Sequence, residues 1–244
     1  MKVLITGASS GIGRDIAKSF ASRGYELVLV ARDVDKLEKV KKEIKNVKVE
    51  TISMDLSREE NCKNLYEQNK DINILVNNAG FGVHGLFTDT DLEKELNMIK
   101  TNVAAYHILT KLYLKDMKEK NSGKILNVAS IAGYMPGPVM AGYYATKSYI
   151  VTLSESIREE LKKQKSDVQI SILCPGPVDT NFNNVAEGKF NVNSLSSDYV
   201  AEYAVKKFLK GKFLIIPGKL MKVSKVLSKI TPRNLVAKVV YNVH

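Results

Sequence analysis

The sequence predicts an α/β fold in which one doubly wound, mostly parallel sheet carries helices on both faces. Three observations predict it. Seven short apolar runs recur along the 244 residues, and longer segments with apolar residues three or four apart separate them. The runs are near-continuous in hydrophobicity, as strands buried on both faces must be. A glycine-rich turn follows the first run and opens onto a helical pattern, the order of a strand, turn and helix unit.

The runs follow in order as VLIT near the start, ELVLVA at 26–31, VKVETISMD at 47–55, INILVNNAG at 72–80, GKILNVAS at 123–130, VQISILCPG at 168–176 and KFLIIPG at 212–218. Residues 1–218 therefore read as one α/β domain. Within it, the stretch 178–197 is rich in turn formers and poor in periodicity, and is expected to form an irregular loop over the substrate. Residues 219–244 read as a basic amphipathic helical extension. Ligands of such sheets bind outside the carboxyl ends of the strands, so the polar residues at those ends carry the functional reading.

The formal charge of +11 is unevenly spread: residues 212–244 hold six lysines, one arginine and no acid, leaving +4 for the first 211. A nearly balanced body with no aromatic interleaving of the basic segment argues against nucleic acid as the partner. Cys62 and Cys174 stand far apart without CxxC spacing, and His84, His107 and His244 are scattered, so neither a disulfide nor a metal site is expected. No segment approaches about 18 uninterrupted apolar residues, and a soluble, cytoplasmic protein is expected.

The turn after the first run reads TGASSGIG at 6–13. Gly7, Gly11 and Gly13 let the backbone approach a pyrophosphate closely, while Ser9, Ser10 and Ile12 complete a loop that leads into a helix N-terminus. Its first two glycines are further apart than in the GxGxxG fingerprint. The second run ends in Ala31, Arg32, Asp33. Alanine at the position of a ribose-binding carboxylate removes repulsion toward a 2′-phosphate, and the Arg32 guanidinium suits that phosphate, so NADP(H) is expected over NAD(H).

Six motifs in order carry a wider resemblance: TGASSGIG, NNAG at 77–80, Asn102 in KTNVAAY, Ser130 in NVASIAG, YYATK at 143–147 and CPGPVDT at 174–180. Their order and spacing resemble the short-chain dehydrogenase/reductase family, over nearly the whole chain to about residue 218. The resemblance implies a Rossmann sheet and an enzyme that uses NAD(P)(H) to reduce carbonyls or oxidise alcohols. It implies Ser130 as the group that polarises the carbonyl, Tyr143 as the general acid, and Lys147 as the cation that tunes Tyr143 and bonds the nicotinamide ribose. Asn102 would hold a water linking Lys147 to solvent. Asn78, Ala79 and Gly80 would pass beside the ribose, Asp55 and Leu56 would meet the adenine, and Pro175, Gly176, Val178 and Thr180 would line the nicotinamide end.

The chemistry needs such groups, because hydride arrival at a carbonyl builds negative charge on oxygen that a donor and a proton source must meet. A free phenol, with a pKa of about 10, is a poor base near neutrality unless a nearby ammonium favours phenolate. Tyr143 and Tyr144 stand four and three residues before Lys147, so spacing alone permits either. The stripe Ile150, Leu153, Ile157 and Leu161 separates them: Tyr143 falls within it, Lys147 on its edge, and Tyr144 turns away.

Tyr134, Met135, Pro136, Met140, Phe182 and Phe190 are expected to wall the pocket, which points to a ketone or aldehyde with a hydrophobic body. Beside NNAG, Gly82 and His84 read as loop residues rather than a second acid. The resemblance implies a homodimer or homotetramer formed through the helices bearing Asn102 and Tyr143. In the extension, Leu220, Val223, Leu227 and Ile230 form a stripe flanked by Lys222, Lys225 and Lys229. Such a helix could lie on an anionic membrane, where each lysine adds about 1 kcal/mol. A narrow stripe without tryptophan argues instead for packing on the domain or a partner subunit. A non-catalytic NADP(H)-binding sensor or scaffold is the alternative function, and an intact Ser130, Tyr143 and Lys147 set argues against it. An epimerase or dehydratase is disfavoured by length.

Overall fold

The computed structural model describes residues 1–180, 182 and 194–242. Strands β1 (Lys2–Thr6), β2 (Glu26–Ala31), β3 (Val49–Ser53), β4 (Ile74–Asn77), β5 (Lys124–Val128) and β6 (Gln169–Leu173) are joined by β9 (Leu214–Ile215) in one parallel sheet. Its order is β3-β2-β1-β4-β5-β6-β9, so all seven expected strands lie in it. The two-residue strands β7 (Val178–Asp179) and β8 (Leu195–Ser196) pair separately.

Winding reverses between β1 and β4, which are direct neighbours with Ile5 opposite Val76. The crevice of a doubly wound sheet opens at that reversal, beyond the carboxyl ends of the two strands. Both ends are the polar segments singled out from the sequence.

Helices α1 (Gly11–Ala21), α2 (Val34–Glu43), α3 (Glu59–Gln68), α4 (Leu92–Ile99), α5 (Ala105–Glu119), α6 (Ala141–Lys163) and α7 (Ser197–Leu209) surround the sheet. Successive strand residues point to opposite faces, so β1 sends Val3 and Ile5 into one core and Leu4 into the other. On the first face they meet Ile16 and Phe20 of α1 and Phe208 of α7; on the second, Leu65 of α3, Leu109 and Tyr113 of α5 and Leu161 of α6. Phe20 is fully buried edge-on to both Tyr25 and Phe208, at 5.3 and 6.2 Å between centroids, so truncating it to alanine should cost about 3–5 kcal/mol.

A buried polar relay ties the sheet to the helices that carry the site. Asn77 Nδ2 donates to Thr110 Oγ1 at 3.0 Å and to Asn127 Oδ1 at 2.9 Å, and Asn127 Nδ2 donates to Ser154 Oγ at 3.0 Å. These bonds join β4 and β5 to α5 and α6, and so fix the height of α6 above the strand ends. Shifting α6 would leave the Asn77 and Asn127 amide donors unpaired in the core, which favours this register.

The chain ends in α8 (Lys219–Ile230) and α9 (Arg233–Tyr241). Of the two expected packings of the apolar stripe, on the domain or on a partner subunit, the structure does not show the first. Leu220, Val223, Leu227 and Ile230 are all exposed, and α8 meets the domain through half-buried Met221, Ser224, Lys225 and Ser228. No described helix is long and apolar enough to cross a membrane.

Candidate active site

The glycine loop is built by close approach. Gly7 takes φ +65°, in the region that favours glycine, and a Cβ on Gly13 would fall inside van der Waals contact of the Gly7 carbonyl oxygen and the Asn78 amide. Thr6 locks the loop to β4: its hydroxyl accepts from Asn78 N at 2.9 Å and Ala79 N at 3.0 Å, while Asn78 Nδ2 donates to the carbonyls of Thr6 and Gly7. The sequence reading placed Asn78 and Ala79 beside a ribose but missed Thr6. A hydroxyl at a strand end, next to the glycine that must turn, was the available signal.

Helix α1 starts at Gly11 with no side-chain cap from Ser10, so its first-turn amides face the crevice with the positive end of the helix dipole. The Thr180 side chain packs against Gly11, where an added Cβ would lie 3.1 Å from its methyl. The loop after β6 therefore reaches across to the glycine loop. Pro175 and Val178 are buried, and Gly176 and Thr180 half-buried.

At the end of β2, Arg32 is exposed and makes no ion pair among the described residues. Asp33 is turned away: it caps α2 by accepting from Lys36 N at 3.0 Å and ion-pairs with the Lys36 ammonium at 2.9 Å. Both contacts hold its carboxyl below the usual aspartate range. Beyond β3, Asp55 accepts from Ser57 N at 3.0 Å, while Leu56 is buried in the second core.

Asn102 sits in a single π-helical turn, Lys100–Ala104, between α4 and α5. That wider turn is a common device at functional sites. It leaves the fully buried Asn102 amide free to bond the Phe81 backbone, accepting from its N–H at 3.1 Å and donating to its carbonyl at 2.8 Å, with a further bond to Thr146 Oγ1 at 3.2 Å. Asn102 thus braces the NNAG segment against α6. A Cβ on Gly80 would stand 2.8 Å from Asn102 Oδ1 and 3.6 Å from Lys147 Nζ, so the strand end, Asn102 and Lys147 converge there.

Ser130 caps the short 3₁₀ turn Ile131–Tyr134, accepting from Ala132 N at 3.2 Å. Tyr143, on the first turn of α6, lies beside Ser130, whose hydroxyl acts on the phenol. Burial pushes the Tyr143 phenol above its ordinary pKa, and the neighbouring Ser130 hydroxyl works in the opposite direction. One turn on, Lys147 is only 4% exposed, and its ammonium donates to the Val128 carbonyl at 3.0 Å and lies 5.5 Å from the Tyr106 ring and 5.8 Å from the Tyr143 ring. Desolvation pushes Lys147 down to about 8. In this state burial, not the ammonium, dominates the phenol's pKa.

Tyr144 points elsewhere, with its ring over Gly137. Tyr143 instead meets Phe182 at 5.3 Å between centroids, and the space above Gly82 is closed by Met140, Phe182 and the Tyr143 ring. Of the expected pocket wall, Met140 and Phe182 are thus beside Tyr143, and Met135 and Pro136 are half-buried nearby in sequence. Tyr134 packs away from them, against the core under α8, with the Lys225 ammonium 5.2 Å from its ring. Phe190 lies outside the described residues.

A bound nicotinamide dinucleotide fits these residues on geometric grounds: the glycine loop and Gly80 form a cradle that side chains would fill, and it leads to the phenol, hydroxyl and ammonium. Comparison with known proteins agrees. The model of the short chain dehydrogenase family matches residues 1–189. An uncharacterized oxidoreductase of Staphylococcus saprophyticus is 35% identical over 184 residues, covering 72% of this chain and 78% of that relative. A short-chain dehydrogenase from Sphingobium yanoikuyae in complex with NADPH superposes with a TM-score of 0.84 at 28% identity, over 95% of this chain and 96% of that one. A Burkholderia phymatum short chain dehydrogenase/reductase in complex with NAD, at 24% identity and TM-score 0.84 over 93% and 92% of the two chains, shares the fold. This chain belongs to the short-chain dehydrogenase family and is an oxidoreductase of the nicotinamide-dependent kind.

Proposed function

We propose that the enzyme interconverts a carbonyl and an alcohol on a small hydrophobic substrate, with NADP(H) as the preferred cofactor and Tyr143 as the acid and base. The observation that carries this reading is the convergence of Ser130 and a buried Lys147 on Tyr143, with the Lys147 ammonium 5.8 Å from the Tyr143 ring. A reduced nicotinamide, when bound, supplies hydride. The glycine loop and the first turn of α1 would hold its pyrophosphate, with Asn78, Ala79 and Gly80 beside its ribose.

The chain's own groups handle the proton. Because burial keeps the Tyr143 phenol protonated at neutral pH, it can donate to the carbonyl oxygen as charge develops there. Ser130 supplies a second hydrogen bond to that oxygen, which matters most when the charge is greatest. Lys147, with its pKa near 8, remains an ammonium at neutral pH and stabilises the phenolate left behind. Asn102 keeps the Phe81 segment and α6 in register and, as the family resemblance implies, orders a water toward Lys147. Met140 and Phe182 exclude bulk water and select an apolar body.

For the cofactor, the support is local. The Asp33 carboxylate is committed to capping α2, and Arg32 stands exposed beside Ala31, so a cation rather than an anion faces a 2′-substituent. A screen of NADPH oxidation over aldehydes, ketosteroids, β-keto esters and quinones tests the function. Turnover with at least one class and none with NADPH alone is expected; NADPH binding without turnover on any class would favour a binding role.

A further inference from the structure

We propose that the outward face of α8, continued by α9, docks the enzyme on an anionic membrane surface. On one side of α8, Met221 packs against Gly176 and the Lys225 ammonium lies over the Tyr134 ring. On the other, Leu220, Val223, Val226, Leu227 and Ile230 are 67, 53, 57, 51 and 74% exposed. At about 100° per residue these five make one continuous arc roughly a third of the helix wide, broader than the four-residue stripe and pointing away from the domain. Leu235 and Val239 of α9 are also exposed. Single exposed aliphatics need no explanation, but a continuous row of them does.

Charge identifies the occupant. Residues 212–244 carry seven basic groups and no acid. Lys222 and Lys229 are exposed along one margin of the arc, and Lys219 falls within it at the N-terminal end of the helix. A second copy brought against this face would set like charge on like, with no carboxylate in the segment for either copy to pair with. A nucleic acid would meet five aliphatic side chains where phosphates should lie. A bilayer rich in acidic headgroups satisfies both features together: hydrocarbon takes the aliphatic arc, and headgroup phosphates take ammoniums whose stems can extend to them. The inference rests on exposure and charge, independently of the reaction proposed above. Since Met221 adjoins Gly176 on the domain side of α8, docking would hold the loop after β6 about one helix diameter from the lipid surface.

The test is sedimentation of the full chain with vesicles of phosphatidylcholine alone and of phosphatidylcholine mixed equally with phosphatidylglycerol. Bound protein should be at least about tenfold higher on the anionic vesicles and should fall sharply between roughly 0.1 and 0.5 M salt. The double variant Val223→Asp, Leu227→Asp should lose binding while keeping its circular dichroism, native mass and turnover. A second variant, Lys222→Glu with Lys229→Glu, should do the same and covers the case in which the first misfolds. Equal binding to both vesicle types, or none to either, would overturn the proposal. So would a drop in native mass in either variant, which would assign the face to a second copy.

Discussion

Lys147 places its ammonium 5.8 Å from the centre of the Tyr143 ring, one helical turn along α6, and a 3.0 Å hydrogen bond to the Val128 carbonyl holds it there. The two groups are displaced in opposite directions by one cause: burial raises the phenol and lowers the ammonium, because each charged form loses its water. The protein therefore holds an uncharged phenol beside a cation that is expensive to bury. In the proposed reaction, transfer of the phenol's proton would create an anion beside that cation.

Lys147 should accordingly weaken the fold of the cofactor-free protein. Its folded pKa, about 8, lies below the ordinary lysine value of about 10.4, so the unfolded chain binds more protons between those limits and stability rises with pH across them. Lys147→Met should thus stabilise the protein at pH 7 by about 1–3 kcal/mol, and the gain should shrink toward zero as pH approaches about 10. The Val128 carbonyl stays satisfied in the variant, since it also accepts from Tyr106 Oη at 3.1 Å. Urea titrations at several pH values check this. A loss of stability at pH 7, or a gain that grows with pH, would refute it.

Gly13 is the tightest point of the loop. A methyl group there must displace either the Gly7 carbonyl or the Asn78 amide, both of which are bonded parts of the junction between β1 and β4. Gly13→Ala should cost about 1–3 kcal/mol and weaken cofactor binding at least about tenfold. Thermal unfolding and a fluorescence titration with NADPH measure the two effects. Unchanged binding would mean that the loop has no role in holding the cofactor.

Arg32→Ala should weaken NADPH by about 10- to 100-fold and NADH by less than about twofold, because only the former carries the 2′-phosphate. Asp33→Ala is the contrasting substitution: it removes the α2 cap and should cost about 1 kcal/mol of stability without changing the preference. Equal losses of both cofactors in Arg32→Ala would remove the phosphate-binding role.

The fold was legible because its signal is local. Buried parallel strands must be continuously apolar, and the seven runs all became neighbours in one sheet. The last run, KFLIIPG, forms only the two-residue Leu214–Ile215 ladder, with Pro217, which cannot donate to a ladder, one residue beyond Ile216. Helical periodicity likewise separated Tyr143 from Tyr144. It understated the burial of Lys147, whose cover comes from elsewhere in the chain: Tyr106 on α5 and the 3₁₀ turn, where a Cβ on Gly133 would lie 2.7 Å from the Lys147 carbonyl. The role of Asp33 needed the structure, because one carboxylate at a strand end can meet a ribose or cap the next helix, and here it caps α2. On α8, periodicity located the apolar face but not what it meets; the mixed face of Met221 and serines took the domain side.

The role of Tyr143 is tested most directly by comparing Tyr143→Phe and Tyr144→Phe in single-turnover oxidation of NADPH by a substrate identified in the screen. Tyr143→Phe should slow the chemical step by at least about 10³-fold while NADPH binds within about threefold of the parent, and Tyr144→Phe should change neither by more than about threefold. Equal effects of the two substitutions, or a larger effect at Tyr144, would contradict the assignment.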